Sequence, residues 1–125
     1  MIFGVGTDIV EVARIEAALT EFGDAFARRI LAESELIAYE SSQIKPRFLA
    51  KRFAAKEAFS KALGTGIRGD VTFQSIQVTH DAMGKPLLAF NHEVETLLAE
   101  KQIRTAHVSI SDEKNLAVAF VVLET

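Results

Sequence analysis

Between Pro46 and Gly64 lie seventeen residues, Arg47 to Leu63, with no glycine or proline and with Ala, Lys, Glu, Leu and Phe dominant. Proline suits the first turn of a helix, where its missing N–H costs nothing. Glycine just past the last turn takes up the left-handed conformation that ends one. The segment predicts one uninterrupted helix, and the rest of the chain must be organised around it. A chain of 125 residues is the size of one domain, and with 49% apolar residues, nine of them Phe among the aromatics, a core can form. One domain over 1–125 is expected.

The flanking patterns set the fold class. Residues 2–12, IFGVGTDIVEV, are apolar and β-branched on both faces, which predicts a buried strand. Gly4 and Gly6 thin one of those faces and let another backbone come close. Ile15, Leu19, Phe22 and Phe26 form one stripe at helical spacing over 13–29, with Gly23 as a break point. A short helix is expected over 33–41, and three glycines make 64–70 a loop. Phe73 to Thr79 alternates as a strand, 81–86 is a turn, and 87–90 is a short strand. Asn91 caps a helix carrying Val94, Leu97 and Leu98. Residues 106–111 and 116–124 form a hairpin around 112–115. A strand, then helices, then mainly hairpin-paired strands predicts an α+β fold with an antiparallel sheet and packed helices, not a doubly wound one.

Several function classes drop out. The chain has no cysteine, which removes disulfides, thiolate metal sites and cysteine nucleophiles and fits a reducing compartment. A net charge of −3 lacks the basic footprint of a nucleic-acid binder. The longest apolar run, Leu116 to Leu123, is far short of the roughly 20 residues of a membrane span. Met1 to Val5 follows no basic stretch and Asp8 soon interrupts it, so it does not read as a targeting signal. A cytoplasmic protein with neither membrane nor nucleic acid as partner is expected. Gly4-Val5-Gly6 lacks the third glycine of a dinucleotide fingerprint, and Gly64 to Asp70 lacks the Lys-Ser/Thr of a P-loop. No G-x-S-x-G occurs, and His80, His92 and His107 have no metal-pair spacing.

The charges are unevenly placed. Lys45, Arg47, Lys51, Arg52, Lys56 and Lys61 stand against the single acid Glu57, so 45–61 carries +5 and the remainder −8. Glu57 and Lys61, at i and i+4, share a helix face. They read either as a surface ion pair on a solvated basic face or as a metal-binding acid beside a phosphate-binding lysine. Asp8, inside an apolar strand, is costly unless partnered. It reads either as paired with a helix N-terminus or Arg14, or as a ligand for a hard cation such as Mg²⁺. His107 shares one strand face with Ser109 and Ser111. Next to a basic helix on a central strand, that face reads as structural or as a site of phosphate contact or proton transfer.

In this order and spacing the residues resemble the 4′-phosphopantetheinyl transferases of the small holo-[acyl-carrier-protein] synthase type. The resemblance rests on Gly4-Val5-Gly6-Thr7-Asp8-Ile9-Val10-Glu11, on Arg47-Phe48-Leu49-Ala50-Lys51-Arg52-Phe53-Ala54-Ala55-Lys56-Glu57-Ala58, on Lys61 to Ile67, on Gly84-Lys85-Pro86 and on the hairpin from His107. It spans nearly the whole chain. It implies transfer of 4′-phosphopantetheine from coenzyme A to a serine of apo acyl carrier protein, in fatty acid synthesis, by an α+β trimer with active sites between subunits. It implies Mg²⁺, or Mn²⁺, on Asp8 and Glu57, and Lys61 on the phosphate oxygens. Glu57 through a water on the metal, or His107, would be the general base. Many members carry a histidine after the second serine of the hairpin, where this chain has Asp112. The resemblance implies coenzyme A contacts at Lys45, Arg47, Arg52 and Lys61, with Gly64, Thr65, Gly66, Gly84, Lys85 and Pro86 as loops near the nucleotide. Arg14 and Arg28 would face the acidic carrier protein. The competing readings are a non-catalytic nucleotide- or partner-binding module, and a structural trimer in which the charges only pair with each other.

Overall fold

The computed structural model describes residues 1–125. In chain order it contains β1 (Ile2–Glu11), α1 (Val12–Phe22), α2 (Asp24–Ile30), a 3₁₀ turn at Glu33–Glu35, α3 (Leu36–Ser41), α4 (Lys45–Leu63), β2 (Ile76–His80), β3 (Pro86–Phe90), α5 (His92–Glu100), β4 (Thr105–Asp112) and β5 (Leu116–Glu124). This is the expected α+β class. The strands form two antiparallel sheets, one of three strands in the order β1-β5-β4 and a hairpin of β2 and β3. No helix is long and apolar enough to cross a membrane.

The long helix starts at Lys45, so Pro46 falls in its first turn, and Gly64 closes it at φ 90°. Beside Leu49, Phe59 and Leu63, much of its buried side is small: Ala50, Ala54, Ala55, Ala58 and Ala62. That side lies on β1 and β5, where Gly4, Gly6, Ala117 and Ala119 leave room. A Cβ built on Gly6 would stand 2.0 Å from the Ala58 carbonyl oxygen, and one on Gly4 would stand 2.1 Å from that of Ala62. Helix backbone therefore touches strand backbone, and no side chain fits between them. The expected division at Gly23 is present, with φ 65°, and Asn91 caps α5 by accepting from the Val94 N–H. The expected hairpin of β4 and β5 is present, with Ser109 opposite Phe120 and Ser111 opposite Val118.

Three expectations need correction. Strand β1 is covered on one face only. Val5 and Ile9 are 55% and 64% exposed, because α4 packs on one side of the three-stranded sheet and nothing in the chain covers the other. Phe22 is exposed, because the turn at Gly23 takes it off the stripe that Ile15, Leu19 and Phe26 keep. The strand expected from Phe73 begins at Ile76. The side chains of Thr72 and Ser75 bond each other's backbone N–H groups and hold 72–75 in a turn.

Gly6→Ala is expected to force α4 off the sheet and to cost about 2–3 kcal/mol. Urea unfolding should show a lower midpoint at an unchanged slope.

Candidate active site

Asp8 lies in line with Gly4 and Gly6, on the face of β1 that meets α4. Its Oδ1 accepts from Lys61 Nζ at 3.0 Å, and the same ammonium donates to the Thr7 carbonyl at 3.1 Å. Neither the Arg14 pair nor the Glu57–Lys61 pair is formed, because Lys61 reaches across to the strand. Asp8 Oδ2 is buried without a hydrogen-bond partner. Glu57 shares with Asp8, Lys61 and Arg14 a cleft of 440 Å³. Burial, and then the charge of Asp8, push the Glu57 carboxyl above its ordinary value, against a smaller opposing pull from Lys61. An orphaned carboxylate oxygen beside a second carboxyl that resists ionising is a site short of positive charge. Hard oxygen donors of this kind fit Mg²⁺. There is no group of three or more His, Cys, Asp or Glu side chains, so the pair suits a cation whose other ligands are phosphate and water. Gly64, Thr65 and Gly66 follow directly beyond Lys61 at the end of the helix.

A second cavity, of 260 Å³, lies toward the other end of α4. Lys51 and Arg52 line it from the helix, His80, Gly84 and Pro86 from the β2–β3 hairpin, and Asp112 from the end of β4. Arg47 stands beside it, donating through Nη2 to Asp112 at 2.6 Å while its Nε has no partner. Lys45 does not line the cavity. Its ammonium donates to the carbonyls of Glu40 and Ser42 and lies over the Tyr39 ring, pinning the α3–α4 connection. Lys85 is exposed in the turn between Gly84 and Pro86.

The two halves of the site do not meet within one chain. Arg52 and Lys61 are nine residues apart, about 13.5 Å along the helix axis and half a turn around it. Lys61 lines the first cleft and not the second cavity, and Arg52 the second and not the first. His107 is also set apart. It pairs across the sheet with Val122, of opposite parity to Ala119 beside Asp8, and so projects from the uncovered face. Its Nε2 lies 2.6 Å from Glu124. The expectation of a central strand beside the basic helix is corrected: β4 is an edge strand, and this face points away from α4. Arg28 is exposed on α2.

The basic face is not solvated as a whole. Lys56 is fully buried and donates to Glu35 and to the carbonyls of Ile30 and Phe73. Arg52 is 8% exposed and donates through Nη1 to Glu35 at 2.7 Å and to the Val78 carbonyl at 2.8 Å. Glu35 also accepts from the N–H groups of Ala32 and Val78. Burial alone would raise the Glu35 carboxyl, but Lys56 first and then Arg52 hold it below the ordinary carboxylate range. Glu35 was not visible in advance because nothing sets it apart from Glu33 or Glu40. Lys56 carried a signal, since it sits among alanines. Lys51, His80 and Asp112 come together at the second cavity from α4, β2 and β4, which only the folded chain brings side by side.

A carboxylate pair answered by a lysine, with a cationic cavity farther along the same helix, defines a small α+β domain that handles a phosphorylated ligand. The chain belongs to the 4′-phosphopantetheinyl transferase superfamily, whose family model matches residues 4–121. It is 54% identical over 124 residues to a holo-[acyl-carrier-protein] synthase of Vibrio cholerae, covering 99% of this chain and 98% of the relative. Among solved structures, the Neisseria meningitidis holo-[acyl-carrier-protein] synthase matches with a TM-score of 0.97 and 48% identity, covering 100% of both chains. The Bacillus anthracis enzyme, solved in complex with CoA (3′,5′-ADP), matches with a TM-score of 0.83 and 44% identity, over 100% of this chain and 98% of that one.

Glu35→Gln leaves two buried cations without their counter-charge and should cost about 3–5 kcal/mol. Because the folded state holds Glu35 below the ordinary carboxylate value of 4.5, its contribution is complete above that pH and is lost as pH falls through the lowered value. In urea titrations the wild type should therefore lose stability below that pH more steeply than the variant.

Proposed function

We propose that the chain transfers 4′-phosphopantetheine from coenzyme A to a serine of apo acyl carrier protein. The products are holo acyl carrier protein and adenosine 3′,5′-bisphosphate, and the step belongs to fatty acid synthesis in the cytoplasm. The observation that carries this reading is the Asp8–Glu57 pair with Lys61 across it. A protein that only binds anions has no use for two carboxylates there.

Asp8 and Glu57 would hold Mg²⁺, with Mn²⁺ as the alternative ion, and the bound ion would supply Lewis-acid stabilisation of phosphate charge. The serine hydroxyl attacks the phosphorus bearing the pantetheine, and the bond to adenosine bisphosphate breaks. Lys61 neutralises charge that grows on the phosphate oxygens. Gly64, Thr65 and Gly66 border that end of the donor. Arg47 and Arg52 bind its adenosine bisphosphate end, with Gly84, Lys85 and Pro86 closing around it and Lys45 fixing the start of α4. The serine proton passes to a carboxylate of the cleft or, across a subunit boundary, to His107. Arg14 at the cleft and Arg28 on α2 face the acidic carrier protein.

The working form is a trimer with sites between subunits. Two features support it: the two halves of the site are separated within one chain, and the uncovered sheet face exposes Val5, Ile9 and Phe120. Specific interfaces cover apolar faces of this kind. Sedimentation should give a trimer, and a fully active monomer overturns this part of the reading.

Incubation with apo acyl carrier protein, coenzyme A and Mg²⁺ should add the mass of phosphopantetheine to the carrier. Asp8→Ala and Glu57→Ala should each slow this by about two orders of magnitude or more. No mass change with either metal sinks the transferase reading. For the base, His107→Ala with an unchanged pH–rate profile assigns the proton to the cleft carboxylate.

A further inference from the structure

His80 has no part in the reaction as laid out above, yet it stands on the rim of the cationic cavity. It ends β2 and pairs with Pro86 of β3, so the ring is held beside the Gly84–Pro86 wall. The charged groups around it come from three directions. Lys51 and Arg52 face it from α4, Asp81 and Lys85 belong to the turn that follows, and Asp112 lines the same cavity from β4. Asp112 is committed to Arg47 at 2.6 Å. Arg52 cannot swing away, because Glu35 and the Val78 carbonyl hold one edge of its guanidinium and the Phe48 ring lies 4.5 Å from its carbon. The cavity is thus walled by one fixed cation, Arg52, by Lys51 and by one imidazole.

That imidazole is held toward its neutral form. Partial burial is the first cause, followed by the charges of Arg52 and Lys51, with Asp81 opposing. A phosphate monoester dianion placed between these groups reverses the sign of the field at the ring. Protonation then becomes favourable, and the imidazolium adds a third charge to the anion's surroundings.

We propose that His80 is a specificity-determining residue of this cavity, taking up a proton from solvent when the terminal phosphate monoester of the donor enters beside Lys51 and Arg52, and so favouring donors that carry this phosphate. The proposal rests on the donor reading above. It goes further by assigning discrimination at one phosphate to one titrating side chain.

The test is calorimetric titration of the full chain with coenzyme A and with 3′-dephospho-coenzyme A, from pH 8 to pH 6, in two buffers of different ionisation enthalpy. No turnover is needed. The phosphate's own second ionisation, near pH 6, is common to every protein compared. For coenzyme A, the ratio of wild-type to His80→Gln affinity should grow as pH falls, by up to about tenfold per pH unit. The wild type should also take up more protons than the variant. With the dephospho ligand the ratio should stay flat. His80→Lys, which keeps its charge at all these pH values, should restore the preference without the added proton uptake. Equal pH slopes for wild type and His80→Gln overturn the role of His80 while leaving the donor reading intact. Absence of coenzyme A binding in both proteins at every pH overturns the donor reading and this proposal with it.

Discussion

The approach of α4 to β1 at Gly4 and Gly6 is the contact on which the rest of the structure depends. Helices usually rest on sheets through interlocked side chains, which keeps backbones apart. Here the carbonyls of Ala58 and Ala62 occupy the space a Cβ would need. The gain is reach. Glu57 and Lys61 arrive close enough for the ammonium to bond both the Asp8 carboxylate and the Thr7 carbonyl. Asp8 follows Gly6 by two residues, so the alternation that points the glycines at the helix points the carboxylate there too. One stripe of the strand, Gly-x-Gly-x-Asp, therefore sets both the packing distance and the chemistry.

A second tie fixes the other half of the same helix. Glu35 gathers Lys56, Arg52 and two backbone N–H groups, joining α4 to the end of α2 and to β2. A buried ionic cluster is a poor source of net stability, since each charge is first stripped of water. Its effect here is geometric. Arg52 is oriented before any ligand arrives, and the β2–β3 hairpin is registered against α4 by the same carboxylate. Little ordering of that wall is then left for binding to drive.

How far the sequence could be read follows the range of the forces involved. Helix α4, the Gly23 division, the Asn91 cap and the C-terminal hairpin were legible because each is decided by residues a few positions apart. Asp8 was legible as an anomaly, a charge where apolar neighbours predict none. Its partner was not, because Lys61 is 53 positions away and only the glycine contact selects it over Arg14. The charges of 45–61 looked alike in sequence yet divided into opposite environments. Lys56 and Arg52 went inward to an acid 17 to 21 positions upstream, which no local pattern marks. The turn at 72–75 defeated strand periodicity through two side-chain hydrogen bonds that alternation does not register.

The open face of the three-stranded sheet has a thermodynamic consequence. Val5, Ile9 and Phe120 are ordered by the fold but remain hydrated in a lone chain. Whatever covers them binds the folded state and not the unfolded one, so its chemical potential enters the folding equilibrium directly. If the cover is another copy of the chain, the melting temperature becomes a function of protein concentration, rising with each dilution step reversed. Stability would then belong to the solution as much as to the sequence.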